Sequence, residues 1–220
     1  EGVRVYAISI VVAIILGAGE TPSIIIILLL TLFYTFEGGM TAVIWTDVVQ
    51  MFLYVAGAIL SFYVILNHID GGWAHVWTTA AAAGKLQVFD FQFAFSSAFF
   101  SQPYTFLAGF LGGTFLTTAT HGTEQLMVQR LLAAKNEKES RIALLSSWGV
   151  IFFQFVLFLF IGIALYVYYQ DNGMALPALT ERDKIYPRFI WEYLPVGVAG
   201  IVMAAILAAA LSNISAALHS

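Results

Sequence analysis

From Ile142 to Tyr169 the chain runs without a single charged residue. That is longer than the roughly 20 apolar residues needed to cross the hydrocarbon core of a bilayer. No other feature narrows the choice of fold as far. In lipid every backbone N–H and C=O must be satisfied within the protein, which leaves helices or a closed barrel. A continuous apolar run of this length, without period-two alternation, is a helix. Composition agrees: 60% of the 220 residues are hydrophobic and only 10% are charged, with a mean hydropathy of +0.88. A soluble domain carries about 25% charged residues. The chain therefore reads as an all-α, multi-pass integral membrane protein. A formal charge of -4 gives no reason to expect nucleic acid, and the absence of cysteine excludes disulfides, thiolate metal sites and cysteine nucleophiles.

Six membrane helices are predicted, the first partial. They are Val5 to Ala18, Ser23 to Phe36 (after Thr21-Pro22), Met40 to Leu66 (after Gly38-Gly39), Tyr104 to Ala134, Ile142 to Tyr169, and Val196 onward. Residues 1–220 read as one incomplete transmembrane domain. The chain opens on Glu1 and closes inside an apolar run, as an internal section of a longer protein would.

Arg130, Lys135, Lys138 and Arg141 crowd one short segment, which places 134–141 as a cytoplasmic loop. Arg4 falls on the same side, and Lys85, Arg182, Lys184 and Arg188 fall on the other, in long loops that count for less. Residues 67–103 and 170–195 are then extracellular loops. In the first, "GGWAHVWTTAAAAGKL" reads either as an interfacial helix with Trp73 and Trp77 toward the headgroups or as a plain loop. The fifth span ends in an interfacial cluster, Tyr166, Tyr168 and Tyr169.

The polar residues inside these spans carry the chemistry. Asp47 interrupts "AVIWTDVVQMFLYVAGAIL" and shares a helix face with Gln50 and Tyr54. A lipid-facing aspartate at mid-helix costs roughly 3 kcal/mol or more, so Asp47 is expected to face inward. The plainer alternative is a carboxylate near the helix end, paired with a backbone group or with a base such as Arg130.

The fourth span, "FLGGTFLTTATHGTEQLMVQR", combines glycines with five threonines, a histidine and glutamines. Such a segment suits a cavity wall, and Gly-interrupted polar helices form midplane binding sites in transporters. The plainer alternative is a packing face of small residues. Thr120, His121 and Gln125 are the predicted solute contacts, with an anionic solute gaining from protonated His121. His121 and Glu124 lie three apart, but too few other ligands are at hand for a transition metal.

In the last span, Ser212, Asn213 and Ser215 supply oxygens that suit a hard cation such as Na⁺, unless the hydroxyls bond back to their own helix. No enzyme motif is present, neither G-x-S-x-G, H-E-x-x-H nor a phosphate-binding glycine loop, and one aspartate within the spans cannot make a catalytic pair.

Three stretches, "YTFEGGMTAVIWTDVVQ" (34 to 50), "GTEQLMVQRLLAAKN" (122 to 136) and "PVGVAGIVMAAILAAALSNISAALHS" (195 to 220), resemble segments of the sodium:solute symporter family, in order. That family includes sodium-coupled transporters of sugars, proline, pantothenate and sialic acid. The resemblance implies part of a leucine-transporter-type inverted-repeat bundle. The chain is similar to the last three helices of the first repeat and the first three of the second, without the unwound first core helix. The complete protein would transport, and this segment alone would not.

Carried over by motif, the main sodium site would use the carbonyl of Ala209 and the side chains of Ser212 and Asn213, the last standing where a second serine is usual. A second site would use Asp47 and Ser215, with Ser212 shared and Ala216 where serine is frequent. Thr120 stands where sugar carriers have a stacking tyrosine, and His121 at the neighbouring tryptophan-like position. The implied function is sodium-coupled symport of a small polar or anionic solute in a cell (plasma or inner) membrane, with Na⁺ as coupling ion and no other cofactor. The alternatives are a transporter-like sensor domain of a signalling protein and a proton-coupled or sodium-leak variant.

Overall fold

A computed structural model describes residues 2–37, 40–91, 93, 96, 99, 101–102, 105–132, 134–174 and 179–218. At 2–4, 7, 31, 33–37, 40–47, 126–127, 129–130, 179–181 and 209–218 it describes the backbone alone. The helices, in order, are α1 (Gly2–Leu16), α2 (Glu20–Glu37), α3 (Met40–Asn67), α4 (Gly72–Ala82), α5 (Phe106–Thr118), a π-turn (Ala119–Thr123), α6 (Gln125–Leu132), α7 (Glu137–Asp171), a 3₁₀ turn (Leu179–Lys184), α8 (Ile185–Tyr193) and α9 (Val196–Leu218). Among the described residues there is no strand.

Val48–Asn67 and Glu137–Asp171 are each long and apolar enough to cross a membrane. Ile8–Leu16 and Glu20–Leu30 meet that test only as a pair, bent by 108°. The two predicted spans are separate helices, Gly2–Leu16 and Glu20–Glu37, joined by a sharp corner. Its cause is local: Gly17, with φ +61°, closes α1 in the left-handed conformation that glycine tolerates. Gly19 O then takes both the Ser23 N–H (3.3 Å) and the Ser23 hydroxyl (2.9 Å) as α2 begins.

Two packed units make up the chain, Glu1–Thr79 with Phe152–Ser220, and Ala80–Ile151. The core of the first draws Val11 from α1, Ala58 and Ile65 from α3, Val76 from α4, Ile161 and Val167 from α7, Phe189 from α8, and Val202 and Met203 from α9. Helix α9 packs on α3, α2, α1 and α8. Lys184 reaches Glu20 at 3.7 Å, tying the 3₁₀ turn to the start of α2. Burial pushes the Tyr186 phenol on α8 above its ordinary range, and a hydrogen bond with Ser61 of α3 offsets part of that rise.

The segment "GGWAHVWTTAAAAGKL" is a helix. Trp73, Val76 and Ala80 form one stripe of α4, with Val76 and Ala80 fully buried. Trp73 meets Phe62 of α3 at 5.7 Å and Phe160 of α7 at 5.2 Å, so it anchors α4 inward, and of the two tryptophans Trp77 is the exposed one. Helix α4 ends in a Schellman motif: Lys85 N–H reaches Ala80 O (2.9 Å) and Gly84 N–H reaches Ala81 O (3.0 Å), with Gly84 at φ +66°. Tyr168 also departs from the interfacial expectation. It is buried, with Phe189 and Tyr193 of α8 at 5.6 and 5.5 Å and His68 at 6.3 Å.

The apolar run at 142 is preceded by helix rather than loop, since α7 starts at Glu137. Asn136 caps it, its side-chain oxygen accepting from Glu139 N–H at 2.9 Å. Glu137 and Arg141, one turn apart, pair at 3.0 Å.

Candidate functional site

The fourth predicted span is broken in the structure. Helix α5 starts at a Thr105 cap, whose hydroxyl accepts from Ala108 N–H at 3.2 Å. It gives way at Ala119 to a single π-turn, in which Glu124 N–H bonds Ala119 O at 3.1 Å, five residues back. Glu124 itself is extended (φ -72°, ψ 118°), and α6 begins with Gln125. Such π-turns occur mostly as single interruptions, frequently at functional sites.

Four of the five threonines of this segment are not free donors. Thr114 donates to Phe110 O (2.6 Å), Thr118 to Thr114 O (2.8 Å), Thr120 to Leu116 O (2.9 Å) and Thr123 to Ala119 O (2.8 Å). Each hydroxyl hydrogen is spent on the carbonyl one turn back. Only lone pairs remain for anything else. Sequence reading counted these hydroxyls as cavity-lining groups and could not see where their hydrogens go.

Of the three predicted solute contacts, Thr120 and His121 are brought together and half-buried, with Thr120 Oγ1 2.9 Å from His121 Nδ1. Gln125 lies past the break, at the start of α6, and is exposed.

The predicted sodium ligands lie on α3 and α9 of the other unit. The backbones of Asp47, Ala209, Ser212, Asn213 and Ser215 are helical, and their side chains lie outside the described residues. What the described residues fix is the relation of the two helices. His68, at the end of α3, meets Tyr193, just ahead of α9, with ring centres 5.8 Å apart. Deeper in both, Gly57 touches Val202, where a methyl group on Gly57 would lie 2.6 Å from Val202 Cγ2. As numbering falls along α3 it rises along α9, so the pair is antiparallel. Counting on from the Gly57–Val202 contact at 1.5 Å per residue, Gln50 and Ala209 share one level roughly 10 Å away, and Asp47 and Ser212 another roughly 15 Å away.

Two polar side chains of α3 are described near this end. Tyr54 donates to Gln154 Oε1 of α7 at 3.0 Å. Gln50 Oε1 is buried with no hydrogen-bond partner. An acceptor left alone away from water costs about 1–3 kcal/mol, which a bound cation would offset. Gln50 precedes Gly57 by two helical turns and shares its stripe. Sequence reading had Gln50 only as a neighbour of Asp47; the orphaned oxygen is what marks it.

The sodium/sialic acid symporter SiaT of Proteus mirabilis is 37% identical over 205 residues, which are 93% of this chain and 40% of that protein. The sodium/sialic acid symporter NanT of Aliivibrio fischeri is 35% identical over 202 residues, 91% of this chain and 39% of that one. The chain thus spans about two fifths of the length of these relatives. A solved structure, described as the substrate-bound outward-open state of a Na⁺-coupled sialic acid symporter, matches with a TM-score of 0.84 and 33% identity, over 97% of this chain and 44% of that one. The fold is therefore part of the leucine-transporter-type bundle that the sequence motifs implied. Residues 3–220 match the sodium:solute symporter family over almost the whole chain, and the chain belongs to that family of membrane transporters.

Proposed function

We propose that the complete protein is a sodium-coupled symporter of a small polar or anionic solute, with sialic acid the first candidate, and that the segment 1–220 does not transport on its own. The observation that carries this is the break at Ala119–Thr123 in a membrane segment of a chain of this family. It holds His121 together with the hydroxyl lone pairs of Thr120 and Thr123, in the kind of interrupted helix that forms midplane solute sites in transporters. Those lone pairs suit the hydroxyl and amide donors of a polar solute. His121 and the Gln125 amide supply donors for its acidic end.

Sodium is proposed to sit between α3 and α9, held by the Ala209 carbonyl, Ser212 and Asn213, with Asp47 and Ser215 forming a second site. The common level of Asp47 and Ser212, and the unpartnered oxygen of Gln50 level with Ala209, support that reading. The protein is proposed to lie in the plasma or inner membrane with 134–141 on the cytoplasmic side and 67–103 and 170–195 outside, following the density of Lys and Arg in the short segment.

Uptake of radiolabelled sialic acid into proteoliposomes tests this. Accumulation driven by an inward Na⁺ gradient, and lost when choline replaces Na⁺, is the expected result. Accumulation that follows a proton gradient and ignores Na⁺ would overturn sodium coupling. Binding without accumulation under any gradient would point to a sensor.

A further inference from the structure

The hydrogen bonds around Thr120 determine how His121 is presented. The Thr120 hydroxyl has one hydrogen and three polar atoms within reach: Leu116 O at 2.9 Å, Thr117 O at 3.4 Å and His121 Nδ1 at 2.9 Å. A carbonyl oxygen can only accept. If the hydrogen went to Nδ1, Thr120 Oγ1 and Leu116 O would face each other at 2.9 Å, two oxygens with no proton between them. With the hydrogen on Leu116 O, the lone pairs of Thr120 Oγ1 face Nδ1, and Nδ1 must carry the proton. This assignment satisfies both contacts at 2.9 Å.

We infer that Thr120 is a positioning residue: it holds His121 with Nδ1–H directed at its own hydroxyl oxygen, so that Nε2 is the atom the imidazole offers to a solute. This rests on the reading of His121 as a solute contact, and it changes the role of Thr120 from contact to orienter. It also defines the chemistry at that point. In the neutral ring Nε2 is a bare acceptor and takes a hydroxyl or amide hydrogen from the solute. In the imidazolium the Nδ1–H bond is kept, and Nε2–H becomes a donor for a carboxylate. One ring, held one way, serves both ends of a solute that carries hydroxyls and an acid group. The held ring also loses less freedom on binding than a loose one.

The test has a ligand-free arm and a transport arm, both in the complete protein. Nitrogen-15 NMR of histidine-labelled protein, with His121→Gln to assign the signal, should show His121 protonated at Nδ1. Thr120→Ser should keep that signature and Thr120→Val should lose it. A wild-type ring protonated at Nε2 alone, or one that Thr120→Val leaves unchanged, overturns the inference.

In uptake of radiolabelled sialic acid, His121→Ala should raise KM about tenfold, and Thr120→Val about three- to fivefold with little change in maximal rate, in line with the loss of one hydrogen bond. The pair Thr120→Val/His121→Ala should be no worse than His121→Ala alone. Additive losses would mean that Thr120 meets the solute directly, and would overturn the inference. An unchanged KM in His121→Ala would instead remove the solute-contact reading, and the NMR result would still decide the tautomer.

Discussion

Gly57 of α3 and Val202 of α9 touch with no room for a single added carbon: a methyl group at Gly57 would sit 2.6 Å from one γ-carbon of Val202 and 3.0 Å from the other. Val202 is β-branched and fully packed, so it cannot swing away. Gly57→Ala should therefore destabilise the protein by about 1–3 kcal/mol, the usual range for overpacking. Val202→Ala introduced alongside should return most of that loss. Thermal unfolding in detergent checks both. A Gly57→Ala protein as stable as the parent would mean that α3 and α9 do not approach this closely.

Asp47 and Ser212, level with each other on those two helices, are expected to act on the same ion. Asp47→Asn and Ser212→Ala should each raise the Na⁺ concentration for half-maximal uptake by about tenfold, equivalent to ~1.4 kcal/mol, with expression unchanged. Gln50→Leu separates the ion from the fold. If the buried amide oxygen has no ligand, removing it should stabilise the protein. If it helps to hold Na⁺, sodium dependence should weaken instead. Loss of folding yield in Asp47→Asn with unaltered sodium dependence would favour a purely structural carboxylate.

The Tyr54–Gln154 hydrogen bond links α3 to α7 within the first unit. Tyr54→Phe leaves the Gln154 oxygen unpaired and should cost about 0.5–1.5 kcal/mol. Adding Gln154→Leu removes the stranded group as well, so the double variant should be more stable than Tyr54→Phe alone. A double variant whose losses simply add would show that the two side chains are not coupled.

His75 of α4 contacts both oxygens of Asp171 at the end of α7, at 3.1 and 3.2 Å, with the two side chains 40% and 33% exposed. A pair this open to water is worth at most about 1 kcal/mol, so its effect should be local. Asp171→Asn should speed amide exchange in residues 72–82 several-fold, while uptake stays within about twofold. The Trp73 contacts should keep α4 helical. Unchanged exchange would mean that packing alone holds α4.

Much of the fold was legible because a bilayer leaves so few choices. The apolar runs at 40–66 and 142–169 became α3 and α7 with ends displaced by only a few residues, apart from the Asn136 cap that starts α7 five residues early. The corner between α1 and α2 was harder to see. It depends on the sign of φ at Gly17, which apolar run length does not encode. Trp73 and Trp77 look alike in sequence, and only the positions of Phe62 and Phe160 separate the anchor from the exposed ring. In the fourth segment the glycines and threonines announced a weak helix. The backbone register of the break and the destination of each hydroxyl hydrogen are matters of geometry, and the hydrogens decide what Thr120 can do.

The turn at Ala119–Thr123 holds one residue more than the helical turn it replaces. That surplus shifts the phase of the turn by about 100°, and the extended Glu124 then ends the helical path, so Gln125–Leu132 takes a direction of its own. Removing one residue there would barely shorten the segment or alter its polarity, yet it would turn the whole of Gln125–Leu132 to a different side. A hydropathy plot would not register the change, and a carrier whose selectivity depends on which side chains look inward would.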